Sequence, residues 1–308
     1  MNTLCKVDTA SQIDRGLEYI LITPARNEEA TIERTLQSVV AQTRLPKRWI
    51  IVSDGSTDRT DDIVRSYTAK HGWLELVRMP ERTDRSFAAK AICFNAAWET
   101  VKGLSYDLIA NVDADISFEA DFFEFLLHKI AADPTIGVAG TRYVEGGRVE
   151  ESHSSKDVGG QCQVFRRECL EQIGGYSPSR YGGVDWIAVR MARMNSWKTI
   201  CFSERVFVHH RIMSSAEANK WVARIRTGRK DYILGNHPLW EIFRVLYQMT
   251  KRPYIVGGVL LLYGYLRAAL GNLDRPISPD LMDFHRREQI GRLKLFIRTG
   301  SLKMFREQ

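Results

Sequence analysis

The chain has 308 residues, 44% hydrophobic and 26% charged, the proportions of a globular protein long enough to bury one large core and carry an appendage. That balance excludes disordered and fibrous chains. Five cysteines (Cys5, Cys93, Cys162, Cys169, Cys201) are scattered without a CxxC pair, so they read as reduced thiols, not as a disulfide framework or zinc cluster. The opening residues show no basic-then-apolar leader pattern, which points to the cytosol. The net charge of +7 is uneven: residues 205–308 hold nineteen Lys/Arg against eight Asp/Glu, and the rest of the chain is net negative.

Short apolar, β-rich runs predict buried strands over residues 19–23, 49–53, 74–78, 108–112 and 136–140. Between them, residues 28–41, 59–70, 86–101 and 119–132 have helical length and periodicity. Such βα alternation implies an α/β fold with a doubly wound, mostly parallel sheet, which binds ligands at the carboxyl ends of its strands. After a short strand at 205–208 the pattern becomes helical, with a cap signal at Ser214 and Glu217 and apolar residues from Leu239 to Met249 at helical spacing. The chain therefore divides into residues 1–212 and a helical, basic appendage over 213–308.

Residues 254–266 are uncharged and apolar but number thirteen, short of the roughly 20 a membrane span needs. Lys251, Arg252 and Arg267 flank them, and Arg286, Arg287, Arg292, Lys294, Arg298, Lys303 and Arg306 follow. This suits a segment lying on an anionic membrane surface; a buried helix with a solvated basic tail fits the same residues.

Asp113 and Asp115, separated by Ala114, follow the fourth strand. Two acids one residue apart on extended backbone point the same way and can share a hard divalent cation with a diphosphate. Alone, D-x-D is equally a solvated turn. Acid-bearing loops also follow the first strand (Pro24-Ala-Arg-Asn-Glu28) and the second (Ser53-Asp-Gly-Ser-Thr-Asp58), and three such loops at consecutive strand ends converge on one cleft.

These motifs, with Lys90 and Asn95, Gly159-Gly-Gln-Cys162 and Gly182-Gly-Val-Asp-Trp186, resemble in order and spacing the family 2 glycosyltransferases with the GT-A fold, over roughly residues 18–211. The resemblance implies a UDP- or GDP-sugar donor. It places Pro24, Ala25 and Glu28 beside the base and ribose, Asp54 on the base, Asp113 with Ala114 near the ribose, and Asp115 on a Mn²⁺ or Mg²⁺ ion. Lys90 falls where a phosphate contact is expected, or it is a surface lysine.

By the same resemblance Asp185 is the base that takes the acceptor proton in an inverting displacement, although the family commonly has Glu-Asp where this chain has Val184-Asp185. Aspartate also suits the cap of the following helix. His209 and His210 are candidates to complete the metal shell; strand alternation sends them to opposite faces, and a structural pair is the other reading. Arg211, Arg224, Arg226, Arg229 and Lys230 could grip a diphosphate or an anionic acceptor.

A dehydrogenase is excluded by the lack of G-x-G-x-x-G after the first strand. A sugar nucleotidyltransferase would carry a Gly-rich, Arg-containing loop there, and no nucleic-acid module accompanies the basic tail. A catalytically weak scaffold is opposed by the retained Asp54, Asp113, Asp115 and Asp185. The Q-x-x-R-W pattern of processive synthases is absent, which predicts transfer of single sugars. The segments His237-Pro238-Leu239-Trp240 and Arg286-Arg287-Glu288-Gln289 look like bacterial enzymes of surface-polysaccharide assembly. That likeness implies a glycan or polyprenyl-linked acceptor and a cytoplasmic enzyme peripheral to the inner face of the membrane.

Overall fold

The computed structural model describes residues 16–81, 88–150, 155–211 and 220–299. Its centre is one nine-stranded sheet in the order β3-β2-β1-β4-β8-β6-β9-β5, with β7 paired to β6. The parallel half predicted from the sequence is formed by β1 (Tyr19–Ala25), β2 (Arg48–Ser53), β3 (Leu74–Arg78) and β4 (Leu108–Val112). Beyond β4 lie the short β5 (Ile116–Phe118), β6 (Ile136–Glu145), β7 (Arg148–Val149), β8 (Cys162–Arg166) and β9 (Lys198–His209). β8 runs antiparallel between β4 and β6, and β5 antiparallel to β9, while β6 and β9 are parallel. β6 and β9 are longer than the runs at 136–140 and 205–208, because Arg142–Glu145 of β6 continues along Val206–His209 and Lys198–Phe202 of β9 pairs back along Ile136–Thr141.

Both faces of the parallel half are buried, which is why its strands read as continuous apolar runs. Tyr19, Leu21, Trp49 and Ile51 face one core, against α1 (Ile32–Val40) and α4 (Phe122–Ala132). Their neighbours Ile20, Ile22, Ile50 and Val52 face the other, against α3 (Ala88–Val101), α5 (Arg167–Ile173) and α6 (Val184–Met194). The period-2 alternation of strand side chains thus fills two layers at once. Helix α2 (Thr60–Thr68) lies between β2 and β3. Cys93, Cys162, Cys169 and Cys201 are buried thiols, and Cys5 lies outside the described residues.

The carboxyl-terminal region is helical as expected: α7 (Lys220–Ile233), α8 (Pro238–Met249), α9 (Val256–Leu270) and α10 (Pro279–Thr299). The cap signal at Ser214 and Glu217 lies outside the described residues. Among the described residues, no helix is long and apolar enough to cross a membrane. The appendage shares a core with the sheet unit: Ile187 of α6 packs with Leu234, Ile277 and Leu281. Nor is the basic tail simply solvated, since Arg286 donates to the Gly235 carbonyl at 2.9 Å and Glu288 pairs with Arg190 and Arg193 of α6.

Helices α7 and α9 meet backbone to backbone. A Cβ on Gly264 would be driven into the carbonyl oxygen of Ile225, and one on Gly228 into that of Leu261. Gly264→Val is therefore expected to destabilise the protein by at least ~1–3 kcal/mol through overpacking, whereas Gly72→Ala, where a Cβ meets nothing within 4 Å, is expected to be nearly neutral. Thermal unfolding checks this, and an unchanged midpoint for Gly264→Val would contradict the close crossing.

Candidate active site

The loops after β1 and β2 are tied together before they reach any ligand. Asn27, at φ 54°, accepts a bond from the Thr57 backbone N–H at 2.8 Å and donates its own N–H to Ser56 Oγ at 3.2 Å. The Glu28 N–H donates to Thr60 Oγ1 at 2.7 Å, and the Asp54 N–H to the Ala25 carbonyl at 2.8 Å. Gly55, at φ 63°, makes the sharp turn that follows Asp54. Asp54 is buried and its carboxylate meets Arg26 at 3.3 Å. Pro24, Ala25, Glu28 and Asp54 are thereby held together at the carboxyl ends of the adjacent β1 and β2.

Asp113 and Asp115 stand at the end of β4, as the sequence predicts, in different surroundings. Lys90 of α3 pairs with Asp113 and also donates to the Gly160 carbonyl at 2.7 Å, so it is not a free surface lysine. Asn111 donates to the same carbonyl at 2.9 Å. Burial raises the Asp113 carboxyl, Lys90 opposes the shift, and the charge of Asp115 adds to it. At Asp115, burial is overcome by His209, Arg211 and Lys90, and the carboxyl is held below its ordinary value.

His209 Nε2 lies 3.5 Å from Asp115 Oδ2, and its Nδ1 lies 2.9 Å from Glu145 Oε2. Burial would lower the imidazole, but the two carboxylates outweigh it and raise the ring to about 9. His210 faces the other way, with Nε2 2.8 Å from Ser117 Oγ and Nδ1 3.2 Å from Arg34 Nη1. Of the two imidazoles, only that of His209 faces the Asp115 carboxylate; His210 meets Asp115 through its backbone, its N–H donating to the Asp115 carbonyl at 2.8 Å. Arg211 completes the cluster, 2.5 Å from Glu28 Oε2 and 3.6 Å from Asp115 Oδ2. Glu28 is raised by burial, against the pull of Arg211.

A divalent cation fits this set. Asp115 Oδ1 is buried without a hydrogen-bond partner among the described residues, a vacancy in bonding that a cation would fill. Carboxylate plus imidazole is a competent donor pair for Mn²⁺. Among the described residues, no group of three or more His, Cys, Asp or Glu side chains forms a cation cage, so an ion here would draw further ligands from phosphate oxygens and water. Glu145, which holds the other ring nitrogen of His209, was invisible to sequence reading. Its partner is 64 residues away and reached only through the β6–β9 register, which sets Glu145 opposite His209.

Asp185 lies in the first turn of α6. It is not the helix cap: Gly182 and Gly183, at φ 83° and 79°, make the turn and the helix begins at Val184. Its carboxyl group packs on Gly160, where a Cβ would meet Asp185 Cβ, Cγ and Oδ2 within 2.9 Å. Gly160 is therefore the hinge of the site, with Asp185 against its Cα and Lys90, carrying Asp113, on its carbonyl.

The model of glycosyl transferase family 2 matches residues 20–186, more than half of the chain. The chain belongs to this family. Dolichyl-phosphate beta-glucosyltransferase of Trichomonas vaginalis is 34% identical over 140 residues, covering 41% of this chain and 39% of the relative. The 4,4'-diaponeurosporenoate glycosyltransferase of Staphylococcus aureus is 36% identical over 110 residues, 35% of this chain and 27% of the relative. The match thus spans well under half the length of either. Among solved structures, the mannosyltransferase PcManGT from Pyrobaculum calidifontis, in complex with GDP-Man and Mn²⁺, superposes with a TM-score of 0.54 at 22% identity over 94% of this chain and 77% of that one. TarS of S. aureus with UDP-GlcNAc gives 0.54 at 14% identity over 83% and 73%. The fold is GT-A.

In this family 2 chain, Glu145→Gln is expected to weaken Mn²⁺ binding by about 10- to 100-fold by releasing the His209 ring. Electron paramagnetic resonance of added Mn²⁺ reads the effect without turnover, and wild-type affinity would separate His209 from the ion.

Proposed function

We propose that the protein is an inverting glycosyltransferase that moves a single sugar from a UDP- or GDP-sugar to a hydroxyl group of a lipid-linked glycan in surface-polysaccharide assembly. The observation that supports this reading is the continuity of Asp185, Gly160, Lys90 and Asp113, which links the Asp185 carboxylate through one glycine to the acids at the strand ends. In this reading Pro24, Ala25, Glu28 and Asp54 contact base and ribose, Asp113 the ribose, and Lys90 a phosphate oxygen. Asp115 and His209 hold Mn²⁺ or Mg²⁺, which when bound offsets the charge gathering on the departing diphosphate. Asp185 takes the proton of the acceptor hydroxyl as its oxygen bonds to the anomeric carbon. The bond from that carbon to the diphosphate oxygen breaks on the opposite face, and the nucleoside diphosphate leaves with the electron pair.

Residues 1–212 supply this chemistry and residues 213–308 the link to a membrane. On α8, Leu239, Ile242 and Leu246 are exposed at i, i+3 and i+7; on α9, Val256, Val259, Tyr263, Leu266 and Leu270 are exposed along one face. Tyr254 and Ile255, in the turn between them, are exposed too. Lys251, Arg252 and Arg267 border these stripes. Apolar faces edged by cations suit a helix lying in the surface of an anionic bilayer.

Asp185→Asn is expected to bind nucleotide as the wild type does while losing transfer by roughly 100- to 10,000-fold; transfer at the wild-type rate would remove Asp185 from the chemical step. The wild type is expected to float with anionic liposomes and a Leu246→Asp/Val259→Asp/Leu266→Asp variant to stay below. Equal flotation would dissociate these helices from the membrane.

A further inference from the structure

Of the two polar residues in the motif that joins Lys90 to Asn95, only Lys90 meets the strand-end acids. Asn95 lies farther along α3 and closes on the loop after α5. Its Nδ2 donates to the Tyr176 carbonyl at 2.8 Å, and its Oδ1 accepts from the Tyr176 N–H at 3.0 Å. A side-chain amide that meets both main-chain groups of one residue fixes it much as a neighbouring strand would. Gly175, at φ 81°, permits the approach, since a Cβ there would stand 2.8 Å from Asn95 Oδ1.

Held this way, the Tyr176 ring packs edge-on to Phe94 and Phe165, with centroids 4.7 and 5.6 Å away, and its hydroxyl donates to Gln163 Oε1. Burial pushes the phenol well above its ordinary range, and the charges of Asp185 and Asp113 add to the shift, so the hydroxyl keeps the proton it donates. That bond orients the Gln163 amide. Its Nε2 then faces two carbonyls, that of Val158 at 3.0 Å and that of Asp185 at 3.4 Å. Turned over, the amide would set its own oxygen against both of them.

The two carbonyls stand on either side of the contact that places Asp185. Val158 leads into Gly159 and Gly160, on which the Asp185 carboxyl group packs, and the Asp185 carbonyl belongs to the first turn of α6. One amide therefore ties together the loop and the helix turn whose separation decides where that carboxylate lies. Gln163 sits opposite Asn111 in the β4–β8 register, and Asn111 holds the Gly160 carbonyl from the next strand. Gln163 and Tyr176 are both buried. A polar pair in a core costs stability unless its bonds are met, and an apolar residue would fill the same place in β8 without that cost. The polar choice is explained by what the amide holds.

We propose that Asn95, Tyr176 and Gln163 form a relay of positioning residues that holds the Asp185 carboxylate against Gly160 in the place from which it takes the acceptor proton. The catalytic consequence rests on the transferase reading above; the relay itself does not. None of the three touches the reacting atoms, and each acts through the next: Asn95 on the Tyr176 backbone, Tyr176 on the amide of Gln163, and Gln163 on the two segments that meet at Gly160.

The test begins with Tyr176→Phe, which removes one hydroxyl and keeps the ring. Hydrogen–deuterium exchange of the full chain reads the relay: amides of residues 158–163 and 184–188 are expected to exchange at least about tenfold faster in the variant, and those of β1 and β2 at the wild-type rate. Tyr106→Phe, which removes another buried hydroxyl, bonded by Trp98 Nε1 at 3.1 Å, is expected to leave both segments unchanged. Hydrolysis of UDP-glucose, UDP-N-acetylglucosamine and GDP-mannose with Mn²⁺, water replacing the acceptor hydroxyl, reads the catalytic consequence. Tyr176→Phe is expected to lower kcat by roughly 10- to 100-fold with KM within about twofold of the wild type. Added to Asp185→Asn, it is expected to change turnover by less than about twofold, because its effect passes through that carboxylate. The variant Tyr176→Phe/Gln163→Met leaves neither member of the pair alone, and it is expected to regain thermal midpoint over Tyr176→Phe without regaining kcat. Unchanged exchange in both segments, wild-type kcat in Tyr176→Phe, or the same fold loss in the Asp185→Asn background would overturn the proposal. If the wild type hydrolysed none of the three sugar nucleotides while Tyr176→Phe still quickened exchange, the transferase reading would fall and the relay would stand.

Discussion

The ammonium group of Lys90 is the contact on which the rest of the site depends. It neutralises Asp113 at the end of β4 and takes the carbonyl of Gly160, fixing the loop that enters β8. Asp185 rests on that same glycine, which has no side chain to keep it away. One cation therefore sets the separation between the acids at the strand ends and the carboxylate in the first turn of α6. It also limits the cost of gathering like charges, since partly buried carboxylates placed together repel unless a cation stands between them.

A second electrostatic arrangement governs Asp115. The His209 ring is held between Asp115 and Glu145, and Arg211 spans Asp115 and Glu28. These partners come from β6, β9 and the residue pair just past β9, so the geometry depends on strands that meet only when the sheet closes. A histidine oriented by a carboxylate on its far nitrogen is preorganised as a metal donor, and a cation binding there would displace the ring's proton.

The parallel half of the fold was legible because it is buried on both faces: the runs at Leu74–Arg78 and Leu108–Val112 needed only apolar composition to be read, and the structure returns them unchanged. β8 was missed as a strand since Cys162–Arg166 mixes Gln163 and Arg166 with apolar residues, and the buried Gln163 is satisfied by bonds from Tyr176 and to the Val158 and Asp185 carbonyls. Asp54, Asp113, Asp115 and Asp185 stood out as acids at strand or helix ends. Glu145 did not, because it lies in the polar end of a strand whose partner is distant in sequence. The pair His209-His210 announced opposite faces by alternation, but which face held Asp115 required the antiparallel β5–β9 register.

The appendage shows how a catalytic sheet acquires a second surface. Ile187, Leu234 and Leu281 share one apolar cluster, and Glu288 reaches back to Arg190 and Arg193, so α10 and the end of α7 are part of the same body as α6. Helices α8 and α9 stand farther out with aliphatic stripes uncovered. The account as a whole turns on whether the strand-end acids receive a sugar nucleotide through a metal. Calorimetric titration of the intact protein with UDP and GDP decides it: binding of one nucleotide in Mn²⁺ that weakens at least about tenfold in EDTA is the result predicted from a shared metal, and binding of neither, or binding indifferent to EDTA, would contradict it.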